Sequence, residues 1–439
     1  MQCLGLDIGS TSIKGAVLDL AGERIGQTVT RPFPAALPAS MPGAIEISPA
    51  SIVSSVSEVV EELLRFAPDA QSLWCCGQMG GTILVDADGA PLSNYLSWRD
   101  QRTLLADADG RTTLDEMRQR WSSELLSSLG NELQPGSTTS LLFWLSQQGQ
   151  LPAGAMPATV ADFVIGRLCN TIPKMHVTHA IGMLDLGTGN WHREAFDRLG
   201  LGNLQLPELL HQPERVGTLH RGGRSRPVYG AYGDQQCALY GARLQREDLS
   251  LNISTGSQVS LRMGSFRPGR YQTRMFFEGD WLNTITHLPA GRSLNVIVDL
   301  LIELATAEGI TLRNPWEPIL RKTAAIKDNS LEVDLAFFAG PLGDSGSVRQ
   351  ITTENLTVGH LFHAAFRSMA DNYARCATWL DEQRRWKSIV LSGGLTQSAP
   401  VLKEMLQQRF TAPLRESSGE ETLLGLMHLA QSQPTVRID

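Results

Sequence analysis

An acid, a glycine and three hydroxyl residues stand together near the start of the chain: Asp7, then Gly9, Ser10, Thr11 and Ser12. Backbone N–H groups in such a turn can converge on a phosphate, because no bulky Cβ holds the ligand off, and the hydroxyls add short donors. A carboxylate at the end of the preceding strand can hold Mg²⁺, directly or through water. Far downstream an apolar run leads into a second turn of the same kind, Thr255-Gly256-Ser257. Together the two turns suit a polyphosphate held by two similar pieces of chain; each alone is also compatible with an ordinary hairpin. Neither is a Walker A loop, since no GxxxxGK[ST] occurs. Nor is the first a dinucleotide fingerprint, because the segment after Gly9 reads as a strand where that motif needs a helix.

The elements that would position these turns are legible nearby. "CLGLDI" and "SIKGAVLDL" predict an antiparallel hairpin with the first turn at its tip. Residues 4–12, LGLDIGSTS, are echoed by residues 249–257, LSLNISTGS, so the same hairpin is expected twice. Ser48 and Pro49 predict an N-cap and first position for a helix over "SPASIVSSVSEVVEELLRF". "SLWCCGQMGGTILVDADGAPL" predicts strand, glycine-rich turn, strand, stopping at Asp86–Gly89. Residues 100–225 read as helix-rich. The basic stretch 220–227, "HRGGRSRP", reads as a domain boundary. Phe362, Phe366, Met369, Tyr373, Cys376 and Leu380 recur every three or four residues, the stripe of an amphipathic helix. "WKSIVLSGG" predicts a strand into a glycine turn and "SAPVLKEMLQQRF" a further helix.

Alternating strands and helices predict an α/β chain. A length of 439 residues predicts two domains, placed at 1–228 and 229–439. A net charge of −7 argues against nucleic acid or an anionic membrane as the main partner. No apolar run approaches the roughly 18 residues of a membrane span. The N-terminus enters a strand at once, without the pattern of a signal peptide. Six cysteines at 3, 75, 76, 169, 237 and 376 contain no CxxC pair, which predicts reduced, buried thiols in a cytoplasmic protein. The histidines, including His176 and His179, show no metal-ligand pattern and read as surface or packing residues.

"LGLDIGSTSIKGAVLD" resembles the first phosphate-binding hairpin of the actin, Hsp70 and sugar kinase superfamily. "GAYGDQQCALYGA" and "LSGGLTQSAPVLKEMLQQRF" are similar to the catalytic stretch and the adenosine-binding turn of the FGGY carbohydrate kinases. Asp234 precedes the second phosphate turn by 21 residues, in the order that family uses. The resemblance covers residues 4 to about 430. It is strongest to the sedoheptulokinase members, through "LSLNISTGSQVSL" and "AGPLGDSGSVRQITTENLTVGHLFHAAFRSMADN", with the xylulokinases second. It implies two ribonuclease-H-like domains flanking a central cleft, ATP and Mg²⁺, and phosphoryl transfer to a ketose hydroxyl. Asp234 would be the base, Asp7 would order Mg²⁺, and Gly9, Ser10, Thr11, Ser12, Thr255, Gly256 and Ser257 would hold phosphates. Gly393 and Gly394 would face the adenosine. The sugar would lie near Gln78, Met79, Trp98, Asp100, Arg102, Asp234 and Gln235, "SWRDQR" matching the family's W-x-D-x-R segment. Without the resemblance, Asp234 reads equally as a helix N-cap, and Asp100 and Arg102 equally as a structural salt-bridge loop.

Two positions depart from the pattern. Gly80 stands where five-carbon ketose kinases carry a histidine, which opens room for a larger sugar. Leu141 stands in place of a common lysine three residues before Trp144. The alternatives of another class are a catalytically silent sugar- or nucleotide-binding regulator and a chaperone-like or polymerising ATPase. Retention of both Asp7 and Asp234 speaks against the first, and the lack of a peptide-binding β domain or helical lid against the second. A homodimer is left open.

Overall fold

The hairpin that begins the chain sets the order of the first sheet. In the computed structural model, which describes residues 1–417 and 419–433, Gln2–Ile8 (β1) and Ser12–Asp19 (β2) pair antiparallel with Ile8 opposite Ile13. Residues 9–11 therefore form the tip. Arg24–Pro32 (β3) continues the meander. Pro49–Phe66 (α1) starts as its sequence dictates: Ser48 Oγ accepts the Ser51 N–H, and Pro49 fills the first position, where its missing donor costs nothing. Leu73–Gly77 (β4) then lies parallel to β1.

Thr138–Gln147 (α2), from Thr138 to Leu145, and most of Val160–Cys169 (α3) are buried. The position where the lysine is missing is thus a packing position. Arg215–Arg221 (β5) and Arg224–Gly233 (β6) finish a sheet ordered β5-β6-β4-β1-β2-β3. Leu4, Leu6, Leu73 and Cys75 of this sheet pack with Val56, Val59 and Leu63 of α1 and Phe163 and Val164 of α3 in one core. A second core gathers Met117, Trp121, Leu141, Phe143, Met183 and Phe196. Asp234–Gly241 (α4) follows β6 directly.

The second compact unit comprises Leu244–Met263 and Leu282–Gly419. Strands of its main sheet are Leu249–Asn252 (β7), Ser257–Met263 (β8), Trp281–Leu288 (β9), Ile389–Ser392 (β10) and Leu414–Glu416 (β11). They stand in the order β9-β8-β7-β10-β11; Glu332–Asp334 and Ser347–Arg349 form a separate antiparallel pair. β7 pairs antiparallel with β8 and parallel with β10, as β1 does with β2 and β4. The short echo between residues 4–12 and 249–257 is therefore a repeat of topology. Gly291–Ala307 (α5), Val358–Leu380 (α6), Gly394–Ser398 (α7) and Pro400–Arg409 (α8), with the helix Trp316–Ala324, are helices of this unit. All six residues of the expected stripe on α6 are buried.

Three findings differ from the sequence reading. Contacts group residues 1–243 and 264–281 with the C-terminal segment from Glu420, so 229–243 lie with the first unit and not with a domain beginning at 229. The reason is β6, which pairs parallel with β4 and carries α4 along with it. Residues 220–227 are no boundary: they form the tip and flanks of the β5–β6 hairpin, Arg221 opposite Arg224. The chain also returns to the first unit as Glu421–Ser432 (α9), which packs on α4 and on the β1 sheet.

The α4–α9 contact is backbone against backbone. A Cβ on Gly425 would fall 2.0 Å from the Cys237 carbonyl oxygen, and one on Gly241 2.0 Å from that of Glu421. Gly425→Ala is expected to cost about 3 kcal/mol through overpacking and lower Tm by roughly 5–10 °C. Thermal unfolding of the variant checks this; an unchanged Tm would show that the helices do not pack this closely.

Candidate functional site

Three parallel strands of the first unit end level with one another. Ile8 of β1 and Gly233 of β6 both lie beside Gly77 of β4. The residues that follow, Gly9, Gln78 and Asp234, therefore leave the same sheet edge, with Gly9 and Asp234 two strand spacings apart, about 10 Å. A bulge in β6 between Tyr229 and Tyr232 re-aims the strand just before Asp234. Thr178 Oγ1 accepts the Gly233 N–H at 3.0 Å and fixes the last strand residue.

Asp234 opens α4 and is half-buried; its Oδ1 accepts the Gln235 N–H at 2.7 Å. Burial, then the nearby Asp7 carboxylate, push its carboxyl up to about 6. That is the range of a general base working near neutral pH. The Asp7 carboxyl is also raised, first by burial, against the Thr422 hydroxyl, Lys14 and Cys76, which favour the ionised form. Thr422 on α9 donates to Asp7 Oδ2 at 2.8 Å. Oδ1 is buried and has no hydrogen-bond partner among the described residues. One spent and one unspent carboxylate oxygen suit a hydrated hard cation. No group of three or more His, Cys, Asp or Glu gathers among the described residues. A cation here would thus take its remaining oxygens from water and from phosphate.

The first turn is open at Thr11 and partly open at Gly9, Ser10 and Ser12. Its backbone closes through the Gly9 N–H to the Ser12 carbonyl, 3.0 Å. Gln78 is buried and ties this turn down: its Nε2 reaches the Gly9 carbonyl at 3.4 Å, and its Oε1 accepts from Tyr95 Oη at 3.3 Å. Met79 lies against Gly233, where a Cβ would come within 2.6 Å of its Sδ. Gly80 has φ +75°, and a Cβ there would sit 3.3 Å from both Trp98 Cβ and the Gly136 carbonyl. Trp98 is 39% exposed, a free apolar face.

Asp100 and Arg102 belong elsewhere. Both are buried, and Arg102 Nε and Nη2 donate to the two Asp100 oxygens at 2.9 Å each. Asp100 also accepts from Ile45 N, and Arg102 Nη2 donates to Glu46 at 2.7 Å. The guanidinium lies 5.0 Å over the Trp144 ring. This is the salt-bridge loop of the alternative reading, and it anchors the segment that presents Trp98.

In the second unit, Thr255 and Gly256 are exposed at the tip between β7 and β8. Ser257 is buried and its hydroxyl serves the turn itself, accepting from Ser254 N at 3.2 Å. The start of α5 abuts this tip, with Gly291 N and Arg292 N donating to the Ser254 and Thr255 carbonyls. Gly393, at φ +95°, ends β10 where a Cβ would strike the Ile253 carbonyl, whereas a Cβ on Gly394 would meet nothing within 4 Å.

Sequence reasoning missed two residues of the first unit. Thr422 lies 415 positions from Asp7 and no local pattern announces it. His179 was expected without an acidic partner; it is buried against Asp162. Thr159 Oγ1 donates to Asp162 Oδ2 at 2.7 Å, so His179 Nδ1, 3.0 Å from that hydroxyl, must itself donate. Nε2 faces the Gly77 carbonyl at 3.2 Å and must donate too. Facing acceptors on both nitrogens favours the protonated ring. Burial would lower its pKa, but the Asp162 carboxylate more than offsets that and raises it. His176, neutral, is pushed down to about 3 by burial and packs on Tyr232 and Phe277. The six cysteines are free and buried.

Residues 2–241 match the model of the FGGY family of carbohydrate kinases, N-terminal domain. The chain belongs to this family. It is an ATP-dependent carbohydrate kinase. It is similar to the sedoheptulokinase of Mus musculus, 23% identical over 94% of this chain and 93% of that one. A glycerol kinase of Marinomonas sp. is 30% identical over 54% of this kinase and 50% of its own length. Among solved structures, a gluconate kinase from Lactobacillus acidophilus superposes with a TM-score of 0.86 at 18% identity, covering all of this kinase and 91% of that chain. Two ribonuclease-H-like units fit that likeness. No helix among the described residues is long and apolar enough to cross a membrane.

Proposed function

We propose that this kinase transfers the γ-phosphate of ATP to a primary hydroxyl of a ketose, sedoheptulose before D-xylulose, with Asp234 as the base. The observation that carries the base assignment is the Asp234 carboxyl, raised to about 6, leaving the same sheet edge as the Gly9–Ser12 turn. Asp234 takes the proton of the attacking hydroxyl, and the rest is positioning and charge neutralisation. Thr11 and Ser12, and Thr255 and Gly256 of the second turn, supply donors for the β- and γ-phosphates. Gly394, open on its Cα, leaves room for the adenosine. Asp7, with Oδ1 unspent, holds Mg²⁺ through water; the ion, when bound, neutralises phosphate charge. Trp98 stacks on sugar C–H groups, and Met79 and Gln235 flank Asp234, while Gln78, Asp100 and Arg102 act by holding the turn and the Trp98 segment in place.

The preference for a seven-carbon sugar rests on Gly80 and on similarity to sedoheptulokinase along most of both chains. A side chain at 80 would crowd Trp98 Cβ and the Gly136 carbonyl at 3.3 Å, at a positive φ that favours glycine, so a histidine there would have to reshape this part of the turn. An ADP-release screen over sedoheptulose, D-xylulose, L-xylulose, ribulose, glycerol and erythritol tests the reading. The highest kcat/KM is expected with sedoheptulose, and Gly80→His should narrow the ratio to D-xylulose without moving the ATP KM. ADP release without sugar would instead make the chain an ATPase, and none with any sugar a binding regulator. A preference for D-xylulose unaffected by Gly80→His would leave only the kinase assignment. Its buried free thiols suit the reducing cytoplasm, where we place it; light scattering on the purified chain separates monomer from the homodimer left open.

A further inference from the structure

A buried ion pair beside Asp234 has no part in the scheme above. Arg274 lies on the short strand Gln272–Met275, in the segment 264–281 that belongs to the first unit. Its Nε pairs with Glu132 Oε1, and its Nη1 donates to Gln235 Oε1. Glu132 Oε2 accepts from Gln272 Nε2 at 2.9 Å. The side chains are 9% and 2% exposed. Nη2 of Arg274, with two N–H donors, has no partner among the described residues. Burying an ion pair is a poor way to stabilise a fold, since apolar residues of similar volume often do as well or better. Nη2 is not among the sealed, unpartnered polar atoms of the described residues, so solvent, and therefore a ligand, can reach its two donors.

The surroundings point to the acceptor. Gln235 is the neighbour of Asp234. On the other side, Glu132 sits in the loop 130–137. That loop binds the Arg274 segment through Thr273 N to the Gly130 carbonyl, 2.9 Å, and binds the sugar turn through Gly81 N to the Gly136 carbonyl, 2.8 Å. Gly136 also touches Trp98. The pair thus contacts Gln235, next to Asp234, and its loop meets Gly81 and Trp98 through Gly136. It is itself neutral, and the Asp7 carboxylate is near enough to Asp234 to raise its carboxyl. A neutral hydroxyl can accept from Nη2 at no electrostatic cost. A carboxylate would add a negative charge to a site that already holds the carboxylates of Asp7 and Asp234.

We propose that Arg274, held and neutralised by Glu132, donates to a hydroxyl of a neutral sugar acceptor, and that the pair excludes sugar acids. The proposal rests on the kinase reading and names its substrate class. Sedoheptulose, D-xylulose and D-gluconate are the probes, with ADP release and calorimetric titration of each sugar as readouts. Wild type should favour the better ketose over gluconate. Arg274→Lys keeps the charge pair but loses the guanidinium fork; it should raise the ketose KM and Kd at least tenfold, with the ATP KM within twofold. Glu132→Gln should lower the ketose-to-gluconate ratio of kcat/KM at least tenfold, a change that a merely structural pair would not produce. Should Glu132→Gln fail to fold, Arg274→Lys decides. A wild-type preference for gluconate, or a folded Arg274→Lys with ketose KM and Kd within twofold of wild type, overturns the proposal. If no sugar yields ADP, the kinase reading fails, while the titrations still report on Arg274.

Discussion

Asp234→Asn is expected to fold, to bind MgATP, and to lose phosphoryl transfer by 10²–10⁴-fold in kcat, the range a general base contributes. The amide keeps the shape of the side chain, and its Oδ1 can still accept the Gln235 N–H. Only basicity is lost, so the ATP KM should stay within about twofold. The wild-type pH profile carries the same residue's signature. With the carboxyl at about 6, the base is ionised above that pH, so kcat/KM should fall tenfold per unit below it and level off above. The variant should lose that limb. The stability sign is opposite to that of a salt-bridged acid. A carboxyl whose folded pKa lies above its ordinary 3.8 costs stability at every pH above 3.8, with the full cost present above about 6. A shift of that size bounds the cost at about 3 kcal/mol, and solvent at this half-buried group reduces it. Asp234→Asn should therefore melt no lower than wild type at pH 8, and higher by a few degrees. Half of wild-type kcat in the variant would remove Asp234 from the chemistry, and a lower Tm would mean its charge is stabilising.

What the sequence disclosed of this site was local. The β1–β2 hairpin, the Ser48–Pro49 start of α1 and the α6 stripe each follow from periodicity or capping within one element. The echo of LGLDIGSTS in LSLNISTGS was a stronger signal, because it reports the same strand pairing in both units. What stayed hidden was long-range or ambiguous in composition. "HRGGRSRP" has the glycines and charges of a linker, and these are equally what an exposed hairpin tip needs. Asp100 and Arg102 are two residues apart in a turn, close enough to satisfy each other, and spacing does not say whether they do. His179 finds Asp162 through tertiary packing, 17 positions back. Arg274 meets Glu132, 142 positions earlier, a pairing no local pattern announces.

The second large effect is expected at Asp7. Asp7→Ala removes the only carboxylate on the tip-side end of β1 and leaves the Thr422 hydroxyl without its acceptor. The strand should survive, because Asp7 is paired in the ladder through its backbone, opposite Lys14 on one side and beside Cys76 on the other. Burial also holds the Asp7 carboxyl above its ordinary value. Its charge is therefore a cost to the folded state near neutral pH, and its removal should not unfold the protein. What is lost is the unspent Oδ1 and the charge that would order a hydrated cation against the phosphates. Preorganised charge of this kind is worth on the order of 10²–10³-fold in kcat. The expected outcome is a fall of that size at ordinary Mg²⁺, with the free Mg²⁺ needed for half-maximal rate raised at least tenfold and sugar binding by calorimetry unchanged. Asp7 also raises the Asp234 carboxyl, so in Asp7→Ala the acid limb of the pH profile should move to lower pH. The two readouts separate the roles. A shifted limb with unchanged Mg²⁺ dependence would make Asp7 a tuner of the base and not a metal residue. Neither change would leave it a structural acid.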